Sequence, residues 1–153
     1  MGSQHLFERI LRIREVEEEQ SRRTLEVGLA ELAQLELRLR TMQQRERAGR
    51  SLVNESASSG EITDRIAGME ESRSASRWAV TLTLRIRSAE AAVATLRQDY
   101  LEKRTGRMQA ETLAETERAR EAAANFRRSQ RALDDWYLNR RQSGDPSGDG
   151  ERN

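Results

Sequence analysis

The 153-residue chain has no cysteine, one proline, one lysine and one histidine. Without cysteine there is no disulfide frame and no thiolate zinc site. His5, as the lone histidine, cannot assemble the three or four converging ligands of a metal centre. Pro146 falls near the C-terminal end, so residues 4–141 carry no helix breaker of that kind. Aromatic residues make up 4% and apolar residues 35% of the chain, which excludes a thick globular core. No apolar run approaches the roughly 18 residues of a membrane span, and the N-terminus lacks the apolar stretch of a secretory signal. Charge of one sign is also missing. The 27 basic and 26 acidic residues are interspersed and leave a net charge of +1. No broad basic field exists to hold a nucleic acid backbone.

What remains is rich in Arg, Glu, Ala, Leu and Gln, residues that favour long helix. Lys103 is the single lysine. The other basic residues are arginines, planar donors suited to carboxylates on neighbouring helices. The composition predicts an all-α chain: a two-helix antiparallel coiled-coil hairpin with a C-terminal helical overhang and a disordered tail. Such a chain buries a seam and little more.

Ser3 is a candidate N-cap, and one helix is expected over about residues 4–47. Leu25, Gly28, Leu32, Leu35, Leu39 and Met42 alternate at spacings of three and four, the a/d pattern of a coiled coil. Leu6, Ile10, Ile13 and Val16 form a stripe in another register, so a stutter is expected near residues 17–24. Glu8–Arg12, Glu18–Arg22, Glu19–Arg23 and Glu36–Arg40 are i,i+4 pairs in the favourable orientation. Residues 48–60 (AGRSLVNESASSG) hold two glycines and four serines, and the turn is placed there. Ser58 and Glu61 would form a capping box for the second helix.

The second helix is expected over about residues 61–141. Leu82, Ile86, Ala89, Val93, Leu96 and Tyr100 make its seam, and this register fails at Lys103 and Arg107. Gly68 and the serine-rich run at 72–76 suggest a break. A new stripe begins at Ala119 and continues through Ala122, Phe126, Ser129, Leu133 and Trp136. The second helix outruns the first, so roughly its last 35 residues should project with that stripe unpartnered. An unpartnered stripe on an amphipathic helix is a docking surface. The tail at 142–153 (QSGDPSGDGERN) has no apolar residue and is expected to be disordered.

Acidic runs at 17–19, 70–71 and 134–135 read as solvated helix faces, because thin helices build no water-excluding pocket. No glycine-rich phosphate loop is present. No catalytic, cofactor or metal residue is expected, and the chain reads as non-enzymatic. The informative aromatics are Trp78, Trp136 and Tyr137. Trp78 lies outside the Leu82-to-Tyr100 seam, which predicts exposure. Trp136 is open between seam packing and partner anchoring, with Trp and Tyr prominent among interface hot spots.

Three short elements resemble one family. Residues 7–14 (FERILRIR), followed by the acidic run EVEEE at 15–19, are similar to the opening of FliJ, the small stalk of the bacterial flagellar export apparatus. Tyr100-Leu101-Glu102-Lys103-Arg104 resembles the family's aromatic-x-E-K-K/R step. Leu133-Asp134-Asp135-Trp136 resembles its apolar-Asp-acidic-aromatic element near the C-terminus. The resemblance covers about residues 7–141. It implies a shaft like that of rotary ATP synthases, cytoplasmic and peripherally held at the inner membrane, without inserting into it. It implies three partners: a hexameric export ATPase, the cytoplasmic domain of the membrane export gate, and export chaperones. Under it, Ile10, Ile13, Ala119, Phe126, Leu133 and Trp136 would meet the ATPase ring. Trp78 and Leu82, an apolar i,i+4 pair early in the second helix, would meet the gate. The equivalent stalk of a virulence-type injectisome and a generic coiled-coil scaffold or dimerisation rod are the alternatives.

Overall fold

A computed structural model describes residues 2–144. The described residues form two α-helices, α1 at Gly2–Ser59 and α2 at Ile62–Ser143, of 58 and 82 residues. The all-α reading therefore holds. The chain divides into two compact units, residues 14–106 and residues 1–13 with 107–153. The two helices pack antiparallel within each.

The turn is far tighter than the serine-rich interval suggested. Helix α1 continues through residues 48–59 and stops at Gly60, whose φ of +77° is the left-handed conformation that glycine adopts at least cost. The Gly60 N–H donates to the Ser56 carbonyl at 2.9 Å, which closes the helix end with a single left-handed cap. The Glu61 carbonyl accepts from the Arg65 N–H at 3.3 Å and opens α2. Ser58 caps nothing in α2. It is helical, and its hydroxyl donates back to the Glu55 carbonyl at 2.8 Å. Asp64 supplies negative charge in the first turn of α2. It also hydrogen-bonds Glu61 and raises that carboxyl's pKa.

In the 14–106 unit, the small residues of the serine-rich interval serve packing. Gly49 and Gly68 are buried against each other. A Cβ on Gly49 would stand 2.7 Å from the Gly68 carbonyl oxygen, and one on Gly68 2.7 Å from that of Gly49. Ser56, 4% exposed, lies in the same seam and donates to the Val53 carbonyl. The burial pattern of α1 runs from Ser21 through Leu25 and Gly28 to Gly49, Val53 and Ser56 with unbroken three-and-four spacing. On α2 it includes Gly68, Ala75, Leu82, Ile86, Val93 and Leu96, with no break at 68–76. Ser21 is buried and donates to Asp99 Oδ2 at 2.7 Å across the helix pair. Arg45 binds Glu71 with two nitrogens, at 2.5 and 3.1 Å, and lowers the Glu71 pKa.

No stutter at residues 17–24 is needed. The seam of α1 extends upstream on Leu11 and Phe7, in step with Ser21 and Glu18. The stripe at Leu6, Ile10, Ile13 and Val16 is the exposed one. The seam was hidden because polar residues occupy several of its positions.

Of the expected i,i+4 pairs, Glu19–Arg23 forms at 2.9 Å. Glu19 also receives Arg22, at 2.9 and 3.0 Å, while another nitrogen of Arg22 reaches Glu26. Hydrogen bonds from Arg22 and then Arg23 hold the Glu19 carboxyl at about 2. Glu8 lies 3.5 Å from Arg118 on α2.

In the second unit, the α2 register does not fail after Tyr100. It continues through Arg107, Ala110, Ala114, Glu117, Glu121 and Ala124, at spacings of three and four. Ala110 and Ala114 are buried there. Every residue from 125 to 144 is exposed. Among the described residues, the part of α2 beyond the hairpin seam is therefore about 20 residues, shorter than expected because the tight turn lets α1 reach further along α2. Ser3 is already helical and is not the N-cap. Gln142 and Ser143 are helical too, and the rest of the expected disordered tail, from 145 onwards, lies outside the described residues.

Candidate functional site

The end of α2 loses its hairpin seam in composition as well as in contact. Carried past Ala124, the register falls on Arg128, Arg131, Asp135 and Leu138, three of them charged. The large apolar residues move elsewhere. Phe126 stands five residues after Glu121 and two after Ala124. At about 100° per residue, that puts it on the side of α2 away from the seam. Ala119 and Leu133 lie seven residues to either side of Phe126, on the same face. Trp136 follows Leu133 by three.

This face is open to solvent. Phe126 is 69% exposed, Leu133 57% and Trp136 51%. Trp136 is thus not a seam residue. Its ring meets Tyr137 edge-on at 5.1 Å, and the Arg140 guanidinium stands 5.1 Å from its centroid. An edge-on aromatic pair and an exposed cation over an indole each contribute about 0.5–1 kcal/mol. Tyr137, an informative aromatic in the sequence beside Trp136, and Arg140, which stands over the indole, belong to this site together with the stripe. Met108, also exposed, lies on α2 in the same unit.

Ile10 and Ile13 are exposed on α1 in that unit. They form a shorter apolar stripe with Leu6, which is also exposed. All six residues expected to meet a ring are therefore accessible.

The other expected pair is divided. Trp78 is 53% exposed, but Leu82 is 5% exposed and belongs to the hairpin seam. Leu82 is covered by the hairpin and offers no surface to a partner, because the four-residue step from Trp78 crosses into the buried stripe. Ser74, Arg77, Trp78, Thr81 and Arg85 border a shallow recess on the outer surface of α2. Between Glu71 and Glu90 the chain has four arginines and no acidic residue. Val80 and Leu84 are exposed nearby. This basic, aromatic surface lies in the 14–106 unit. The local charge bias was legible in the sequence but masked by the overall balance.

Among the described residues, no group of three or more His, Cys, Asp or Glu side chains could hold a metal ion. His5 is exposed, with Nδ1 3.8 Å from Glu8 Oε2. No described helix is long and apolar enough to cross a membrane. No family model matches the chain, and neither the curated proteins nor the solved structures provide a match.

Proposed function

We propose that this chain is a non-enzymatic stalk of the bacterial flagellar protein export apparatus. In this reading it binds the hexameric export ATPase, favours assembly of the ring and raises its turnover. It works in the cytoplasm, held at the inner membrane through its partners, and links the ring to the export gate and export chaperones. The observation that carries the reading is the exposed aromatic face of α2 beyond Ala124, on a helix that has left its intramolecular partner. The three FliJ-like sequence elements supply the identity of the machine.

Leaving Phe126, Leu133 and Trp136 in water forgoes about 25 cal/mol for each Å² they could bury. A small chain seldom keeps such a patch without a use. Arg127, Arg128, Arg140 and Arg141 flank the stripe and would meet acidic loops of the ring. The association should weaken with salt. Trp78, between Arg77 and Arg85, is the proposed gate contact, without Leu82.

The test is ATPase stimulation by the full chain and by a chain ending after Ala124, each across a range of ionic strength. The shortened chain keeps the hairpin seam. Loss of stimulation and of co-purification with the hexamer is expected. Full stimulation by the shortened chain would overturn the assignment of this face to the ring.

A further inference from the structure

We propose that the exposed end of α2 pairs antiparallel with the same segment of a second copy of this chain. In a chain that is 35% charged, the face carrying Ala119, Ala122, Phe126, Ser129, Leu133 and Trp136 has no charge over some five turns. These residues alternate at spacings of three and four, the pattern of a coiled-coil seam. Residues flanking that seam are also mostly uncharged, including Ala123, Asn125, Gln130, Ala132 and Tyr137. The arginines and aspartates of this segment lie on the other sides of the helix. Such segregation is what a helix needs on a face that will be covered by another helix.

The occupant is indicated by two kinds of self-complementarity. The first is size. One antiparallel register sets every large residue of the stripe against a small one. Trp136 faces Ala119 of the second copy, Phe126 faces Ser129, and Leu133 faces Ala122. Large-against-small alternation fills a helix pair without voids or overpacking. The next layer outwards in the same register places Arg140 against Glu115 of the second copy. The second kind is charge. Residues 111–121 hold four glutamates against two arginines, whereas residues 127–141 hold five arginines against two aspartates. Antiparallel pairing brings the basic end of each copy to the acidic end of the other. Parallel pairing would oppose like ends and is disfavoured.

The size of the face suits a modest dimer. The two copies bring together six aromatic rings, from Phe126, Trp136 and Tyr137, each at least half exposed. Such side chains bury about 150–250 Å² each when covered. Only about half to two-thirds of each ring is still open, so with Leu133 and the alanines the total falls below the ~1,200 Å² of standard interfaces, in the range of weak association. The pairing requires no ATPase and holds whether or not the chain is a stalk. If it is one, the dimer covers the face that would meet the ring, and the two associations exclude each other.

The experiment is sedimentation equilibrium of the full chain over a concentration and salt series, with three variants. Glu115→Arg and Arg140→Glu each place like charges in one layer and should weaken dimerisation about tenfold. The double variant restores opposite charges and should recover the wild-type association. Both substituted positions are exposed, so circular dichroism should show unchanged helix in all three variants. A wild-type chain that stays monomeric into the millimolar range would overturn the proposal. So would a dimer insensitive to both single reversals, or one that the double reversal fails to restore.

Discussion

Replacing single glycines by alanine tests whether the two helices are held apart by side chains or drawn together by their absence. Alanine in a helix gains about 1 kcal/mol over glycine in propensity alone. At Gly106 the nearest atom to an added Cβ is Arg14 Cδ at 3.9 Å, so Gly106→Ala should realise most of that gain. At Gly28 the added methyl meets Leu96 Cδ1 at 2.9 Å, the tip of a side chain that can swing aside. There gain and cost should nearly cancel. At Gly49 it meets backbone, the Gly68 oxygen at 2.7 Å and the Ser72 nitrogen at 2.8 Å, and the helices must separate. Overpacking of this kind costs about 1–3 kcal/mol. Net of propensity, Gly49→Ala should destabilise by about 1 kcal/mol, and Gly68→Ala by a similar amount. Thermal unfolding followed at 222 nm would show this as a melting temperature lower by about 2–4 °C. The double variant should cost less than the sum, since one separation admits both methyls. Gly49→Ala or Gly68→Ala as stable as Gly106→Ala would refute the close-approach account.

Leu82→Ala should cost about 2 kcal/mol in urea unfolding, because Leu82 is 5% exposed. Phe126→Ala and Leu133→Ala should leave stability within about 0.5 kcal/mol of the parent, both being exposed in the free chain. Ser21→Ala should cost about 1 kcal/mol by removing the hydrogen bond to Asp99, and a Ser21→Ala/Asp99→Asn cycle should show coupling. Glu19, held at about 2 by Arg22 and Arg23, contributes stability that is complete above the ordinary carboxylate range. That contribution should be lost as pH falls towards about 2. An NMR titration of the Glu19 carboxyl carbon reads this directly, and a midpoint in the ordinary carboxylate range would contradict it.

Helix content was legible in the sequence because it depends on local terms. The absence of proline from 4–141 and the favourable i,i+4 pairs act within a turn or two of their own positions. The seams at Leu25 to Met42 and at Leu82 to Tyr100 were legible for the same reason, since apolar spacing is a one-dimensional signal. So was the exposed stripe at Phe126, Leu133 and Trp136. The seam elsewhere was not, because polar or small residues occupy it. Ser21 is buried there with Asp99 as its partner, while Leu6, Ile10 and Ile13 are the exposed residues. A pattern of hydrophobicity cannot distinguish a seam serine with a cross-helix hydrogen bond from a solvated one.

The turn shows the same limit. Glycine and serine between residues 48 and 60 carry two physical meanings, a weak helix and a place where two backbones can approach. Both follow from a side chain that is small or absent. Local reasoning takes the first meaning and ends the helix at about 47. Tertiary structure decides otherwise, because Gly49 and Gly68 meet across the hairpin and the helix gains a neighbour there. That choice moved the turn to Gly60 and lengthened α1. It also set where α2 is left alone, and so how much of the aromatic face is free. Helix formation was settled by interactions between near neighbours in sequence, and the extent of pairing by contacts between residues as far apart as Ser21 and Asp99.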